Sequence, residues 1–86
     1  MGLDTGIRSR LEAAFRPVTL EVVNESALHA GHAGDDGTGE SHWRVVLVSP
    51  DFEGMSRLAR HRAVHAALGP EIMGRIHALA LDLSAP

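Results

Sequence analysis

Cysteine is absent from the 86 residues of this chain, which excludes disulfides, thiolate nucleophiles and cysteine ligands to a metal. Any soft metal or cluster must therefore be held by histidine, by carboxylate or by ligands from another molecule. Lysine is also absent, so the eight basic residues are all arginine, and the net charge is −3 with neutral histidines. This charge argues against non-specific binding to polyanions, which needs a basic surface.

Aromatic residues and long apolar runs are scarce as well. The aromatic residues are Phe15, Trp43 and Phe52, which leaves few platforms for stacking exposed bases. The apolar runs are too short to cross a bilayer, and the first residues show no secretory signal. We therefore expect a cytoplasmic protein with no membrane contact. Its length predicts a single domain over residues 1–86 with little volume for an enclosed substrate pocket.

The hydrophobic pattern of the first half predicts one helix and two strands. The helix is capped by Asp4 or Thr5 and ends before Pro17, because proline disfavours helical geometry in the preceding residue. Alternation over residues 18–24 predicts a half-buried strand. Residues 42–49 are apolar on both faces after their third position, which indicates a central strand.

The second half predicts a helical connection and a last strand. Ser49 is a candidate cap, and Pro50 suits a first helical position. The main helix covers residues 55–68. Helical spacing places on one side of it Leu58, His61, Val64, His65 and Leu68. Gly69 ends this helix, residues 70–73 form at most a turn, and the last strand covers residues 76–83.

The resulting order is α–β–β–α–(short α)–β. It predicts an α+β fold in which helices cover one face of a three-stranded mixed sheet. This αββααβ order matches the type II KH-like arrangement. Between the first two strands, residues 26–41 carry four glycines and no periodicity, so they predict a long loop. The loop holds His29 and His32.

His77 opens the last strand and raises the sharpest functional question. A lone histidine on an apolar strand is a satisfied core residue or a ligand, and the sequence leaves both alternatives open. For His42, the sequence favours a structural role or a surface position at the strand end over a role as a ligand. The spacing of His61 and His65 is that of a zinc-protease helix, but Arg62 stands where that site needs a glutamate. A plain zinc-binding module built from histidines stays a further alternative.

No arrangement of residues predicts an enzyme. The chain shows no nucleophile elbow, and the acids of the "GDDG" segment lie in a glycine-rich loop that cannot position an acid–base pair.

The motifs "TLEVVNES", "ESHWRVVLVS", "FEG", "RHRAVHAAL" and "IHALAL" resemble the BolA family in order and spacing over roughly residues 7–83. The resemblance implies the αββααβ, KH-like fold. It also implies a monothiol glutaredoxin partner that shares a 2Fe–2S cluster, with thiolates supplied by the glutaredoxin and by glutathione. We would then expect a monomer or weak homodimer, with no cofactor when the chain is alone.

In such a complex the family's ligand at the start of the last strand matches His77. The second family ligand is a His or Cys in the loop between the first two strands. Because cysteine is absent, this chain resembles the histidine type, and the spacing from "NES" points to His29, with His32 as the alternative. Histidine on one iron of a 2Fe–2S centre is known chemistry, and proton competition makes such binding pH-sensitive.

A second function follows from family members described as DNA-binding transcriptional regulators. The basic residues of the main helix, Arg57, Arg60, His61 and Arg62, would then lie near phosphates. The alternative is that these arginines form a solvated helix face. The GxxG segment of this chain carries two acids, which would repel phosphate.

Overall fold

The structure, a computed structural model, describes residues 2–26 and 41–86. Its elements follow the predicted order. They are helix α1 (Leu3–Ala14), strands β1 (Thr19–Asn24) and β2 (His42–Val48), helix α2 (Arg57–Met73) and strand β3 (Ala78–Ser84). A 3-10 turn, Pro50–Phe52, joins β2 to α2 and is capped by Ser49, as predicted. Most of the predicted loop 26–41 lies outside the described residues.

The three strands form one mixed sheet in the order β1-β2-β3. Strand β1 is antiparallel to β2, with Leu20 opposite Leu47, whereas β3 is parallel to β2, with Leu81 opposite Val45. The predicted central position of the second strand is confirmed.

The core lies between one face of this sheet and the two helices. It is built from aliphatic side chains of all layers together with Trp43 and Phe52. The members with no exposed surface are Ile7, Leu11, Val45, Leu47, Phe52, Val64 and Leu68. Each fully buried aliphatic side chain stabilises the fold by about 1.5–3 kcal/mol. The predicted α+β architecture, with helices on one face, is confirmed.

Helix α1 begins earlier than predicted. Its N-cap is Gly2, which makes no side-chain cap bond, rather than Asp4 or Thr5. Asp4 instead accepts a hydrogen bond from Arg8 Nε at 3.0 Å. The added turn buries Leu3, and burial of that apolar side chain favours the longer helix.

The predicted apolar side of the main helix is wrong in part. Leu58 is 60% exposed and His65 is exposed, whereas the buried residues are Val64, Leu68 and Ile72. The helix is rotated so that Arg60 continues this row, with its guanidinium 5.9 Å from the Phe52 ring centroid. An arginine stem covers apolar surface well, which explains why a charged residue takes this place.

Two glycines shape the end of α2. Gly69 has φ 80°, a conformation that strongly favours glycine, so helical geometry breaks where the sequence predicted a stop. The short turn 70–73 follows, as expected. At Gly74 a Cβ atom would lie 3.0 Å from the Pro70 carbonyl oxygen, so a larger residue there would force this turn to shift.

Asp51 ties the end of α1 to the turn after β2. Its carboxylate accepts hydrogen bonds from Arg16 N at 2.8 Å, Arg16 Nη2 at 2.8 Å and Ser49 Oγ at 3.2 Å. The hydrogen bonds from Arg16 hold the pKa of Asp51 below its ordinary value.

We predict that Asp51→Asn lowers stability at neutral pH and that its difference from wild type disappears in acid. A lowered carboxyl pKa contributes stability above the unfolded-state pKa, and this contribution is lost as the pH falls through the folded-state pKa. Urea unfolding between neutral pH and pH values below the ordinary aspartate pKa would measure this. A difference that persists unchanged in acid would contradict the assignment.

Candidate metal-ligand site around His77

The site is organised around the hydroxyl of Ser26, a buried residue just after β1. Ser26 N donates to Asn24 Oδ1 at 2.9 Å, which forms a tight local turn. Ser26 Oγ then accepts from Ser41 N at 2.9 Å and from His42 N at 3.0 Å. One side chain thus joins the two segments that flank residues 27–40.

Ser41 also forms hydrogen bonds with residues at the start of β3. Its carbonyl oxygen accepts hydrogen bonds from His77 N at 2.8 Å and from Ala78 N at 3.1 Å. The backbone of His77 is therefore held beside Ser41. His77 itself precedes β3, because the strand starts at Ala78 rather than at the predicted residue 76.

The side chain of His77 is exposed. The core-residue alternative left open by the sequence is therefore wrong, because this histidine is not packed in the apolar interior. Its ring lies against His42, with ring centroids 5.4 Å apart and a tilt of 49°. His42 is buried, and its Nδ1 lies 2.7 Å from Ser41 Oγ, which agrees with the structural alternative predicted for it and not with a surface position at the strand end.

The two loop histidines, His29 and His32, lie outside the described residues. Within residues 2–26 and 41–86, no group of three or more histidine or carboxylate side chains is placed to hold a metal ion. The described residues therefore assemble no complete set of metal ligands at His77.

Sequence reasoning missed Ser26 and Ser41. Both serines fall at the ends of the predicted loop, where a hydroxyl gives no hydrophobic signal. The "NES" motif contains Ser26, and an Asn two residues before it is typical of a turn closed by a side chain. That local signal does not predict the contact between Ser26 and Ser41, which are 15 positions apart.

The basic residues of α2 are divided by the structure. Arg57 and Arg62 are exposed, whereas Arg60 and His61 are half-buried. Arg57, Arg60 and His61 line one open cleft beside β3, and Arg62 is not part of its wall.

No helix in the described part of the chain is long and apolar enough to cross a membrane.

These features define a small α+β domain with a histidine at the entry to its last strand. The family model for BolA-like proteins matches residues 11–86, so the chain belongs to the BolA-like family, as the motifs indicated.

Several relatives resemble the whole domain. An uncharacterised protein of Sinorhizobium, from the cobS 5′ region, is 54% identical over 87 residues, which cover 100% of this chain and 94% of that protein. Mouse BolA-like protein 1 is 49% identical over 98% of this chain, which spans 58% of that protein's length. Escherichia coli DNA-binding transcriptional regulator BolA is 49% identical over 87% of this chain and 68% of its own length.

The fold is also that of solved family structures. BolA1 from Arabidopsis thaliana matches with a TM-score of 0.85 and 36% identity, over 100% of this chain and 94% of its own. The confirmed fold therefore agrees with an independent member of the family.

We predict that Ser26→Ala destabilises the fold by about 1–3 kcal/mol, because it leaves the buried N–H groups of Ser41 and His42 without this acceptor. Urea unfolding would measure the loss. Ser84→Ala is the matched control, since the Ser84 hydroxyl makes no side-chain hydrogen bond within the described residues. Equal stability of the two variants would contradict the role of Ser26.

Proposed function

We propose that this chain is a non-enzymatic adaptor that binds a monothiol glutaredoxin and contributes histidine ligands to a shared 2Fe–2S cluster. The observation that carries the proposal is His77. Its backbone is fixed by Ser41, while its side chain is exposed and makes no hydrogen bond within the described residues. An imidazole in this state has a ring nitrogen available to a metal held by another molecule.

The donor set of the described residues fits such a shared site. Histidine is an accepted ligand to one iron of a 2Fe–2S centre, where it raises the reduction potential relative to thiolate. Within residues 2–26 and 41–86 His77 belongs to no group of three or more side chains that could hold a metal ion. Because the chain has no cysteine, a partner would have to supply the thiolates. The ring of His42 beside it limits the orientations that His77 can adopt.

The second ligand in this proposal is His29, with His32 as the alternative. His29 follows Ser26 by three residues, and Ser26 is bonded to Ser41, whose carbonyl holds His77 N. This three-residue tether, at most about 11 Å long, is the reason why the proposal prefers His29. His32 is tethered less closely, at six residues from Ser26.

The decisive experiment mixes the protein with a cluster-loaded monothiol glutaredoxin and glutathione and follows visible absorption and circular dichroism. We expect a new spectrum that His77→Ala abolishes. His65→Ala is the matched control, because His65 is an exposed histidine of α2 away from this junction. His29→Ala and His32→Ala, tested separately, identify the loop ligand.

The complex should also weaken at low pH, because a proton competes with the metal for each imidazole. A titration of the same spectra would show the loss. Identical spectra for wild type and His77→Ala would contradict the ligand assignment, whereas absence of any complex with glutaredoxin would contradict the partner.

DNA binding is the second candidate function. It is supported by the printed name of the Escherichia coli relative, a DNA-binding transcriptional regulator, and by the exposed cations Arg57 and Arg62 on α2. Arginine contacts with phosphates would provide the affinity.

For this candidate we expect affinity for duplex DNA that falls steeply with salt, since each phosphate contact releases counterions. Fluorescence anisotropy at several salt concentrations would measure the slope. Arg62→Gln should lower the affinity and make the salt slope shallower by about one phosphate contact. Absence of binding at low salt would exclude this function.

A further inference from the structure

A cleft of about 450 Å³ lies between the N-terminal half of α2 and the edge strand β3. We call it the arginine cleft. Its wall is formed by the side chains Arg44, Arg57, Arg60, His61 and Asp82 and by leucines near the end of β3. The volume falls within the range of small-molecule sites, and the lining is mainly polar. Arg60 packs against the Phe52 ring, but neither this packing nor histidine ligation accounts for Arg44 and Arg57 in the same wall.

The charge of the arginine cleft is opposite to that of the chain. Three of the eight arginines converge here, although the net charge is −3. Arg44 is partly neutralised, because its Nε lies 3.0 Å from Glu25 Oε2. Arg57 and Arg60 have no carboxylate partner within the described residues, and Asp82 is the one acid in the wall. Two uncompensated guanidinium groups therefore face a single carboxylate.

The position of these cations on α2 is unfavourable unless an anion is present. Ser56 caps the helix by accepting a hydrogen bond from Ala59 N at 3.1 Å, and no acidic residue lies in the first turn. Arg57 and Arg60 instead place positive charge at the positive end of the helix dipole, where acids are normally favoured. A bound anion would reverse this repulsion.

Arg60 carries a second unfavourable feature. Its Nη1 donates to the Leu83 carbonyl oxygen at 3.3 Å, a group on the outer edge of β3. Its Nε is buried and has no hydrogen-bond partner in the described part of the chain. An unmade bond to a buried donor is costly. A ligand oxygen that reached Nε would remove that cost.

We propose that the arginine cleft binds a small phosphoryl anion, either free phosphate or the terminal phosphate of a small monoester. Both unfavourable features of α2 are relieved by the same ligand, and two guanidinium groups match a doubly charged oxyanion through paired N–H donors. The cleft is larger than a single phosphate group, so it also has room for the organic part of a monoester. This favours a monoester over free phosphate. This inference does not depend on the glutaredoxin proposal.

The test titrates the full chain with inorganic phosphate and, separately, with glycerol 3-phosphate, while amide chemical shifts are followed by NMR. We expect saturable shifts confined to residues 57–61 and 81–83. Arg57→Gln, a change at an exposed residue that leaves the core intact, should weaken binding by about tenfold or more. Arg62→Gln is the matched control, because it removes the same charge from the same helix outside the cleft wall, and it should change the affinity by less than about twofold.

For two further variants we predict the direction in which the affinity for the anion changes. Asp82→Asn should strengthen binding several-fold, because it removes the one repulsive charge in the wall. Arg57→Lys should recover only part of the affinity, because lysine keeps the charge but loses the paired donors. Saturation by phosphate alone or by the monoester alone would each support the proposal and identify the source of the phosphoryl group.

Three outcomes would overturn the proposal. The first is absence of saturable shifts with both anions up to millimolar concentrations. The second is equal weakening by Arg57→Gln and Arg62→Gln, which would indicate diffuse attraction rather than a built site. The third is binding of duplex DNA through the same amides with no binding of either small anion, which would assign this surface to DNA.

Discussion

One hydroxyl, Ser26 Oγ, holds together the region on which the candidate metal-ligand site depends. It accepts two backbone N–H groups from the start of β2, and the carbonyl of Ser41 then receives the backbone of His77. The end of β1, the start of β2 and the approach to β3 therefore meet at one point. Because backbone hydrogen bonds fix His77 while its ring stays exposed, the side chain can meet a partner without disturbing the core.

The parallel pairing of β2 and β3 separates the two proposed sites. His77 lies at the entry to β3, whereas the arginine cleft is lined near its other end, at Asp82. At about 3.3 Å per residue, five residues place His77 and Asp82 roughly 17 Å apart. Arg44, which is paired with Ala80, lines the side of the cleft nearer to His77.

The elements and their order could be predicted because they follow from local pattern. Alternation predicted β1 and β2, and helical spacing predicted α2 with a stop at Gly69, where its helical geometry breaks before the turn 70–73. The errors lie where tertiary packing decides. Leu58 and His65 lie seven residues apart, a helical spacing that predicts one side shared with Val64 by way of His61, yet both are exposed. It is the guanidinium of Arg60 that lies over the Phe52 ring. Spacing alone places residues on a common side of a helix but does not say which side faces the sheet.

The sequence by itself determined the donor chemistry, since a chain without cysteine has only histidines and carboxylates to offer a metal. It also determined the fold class and pointed to His77 through its motifs. Only the tertiary structure decided that His77 is exposed rather than buried and that its backbone is bonded to Ser41. It likewise placed Arg44, Arg57 and Arg60 around one cleft. These facts depend on contacts between residues far apart in the chain, and local pattern carries no information about such contacts.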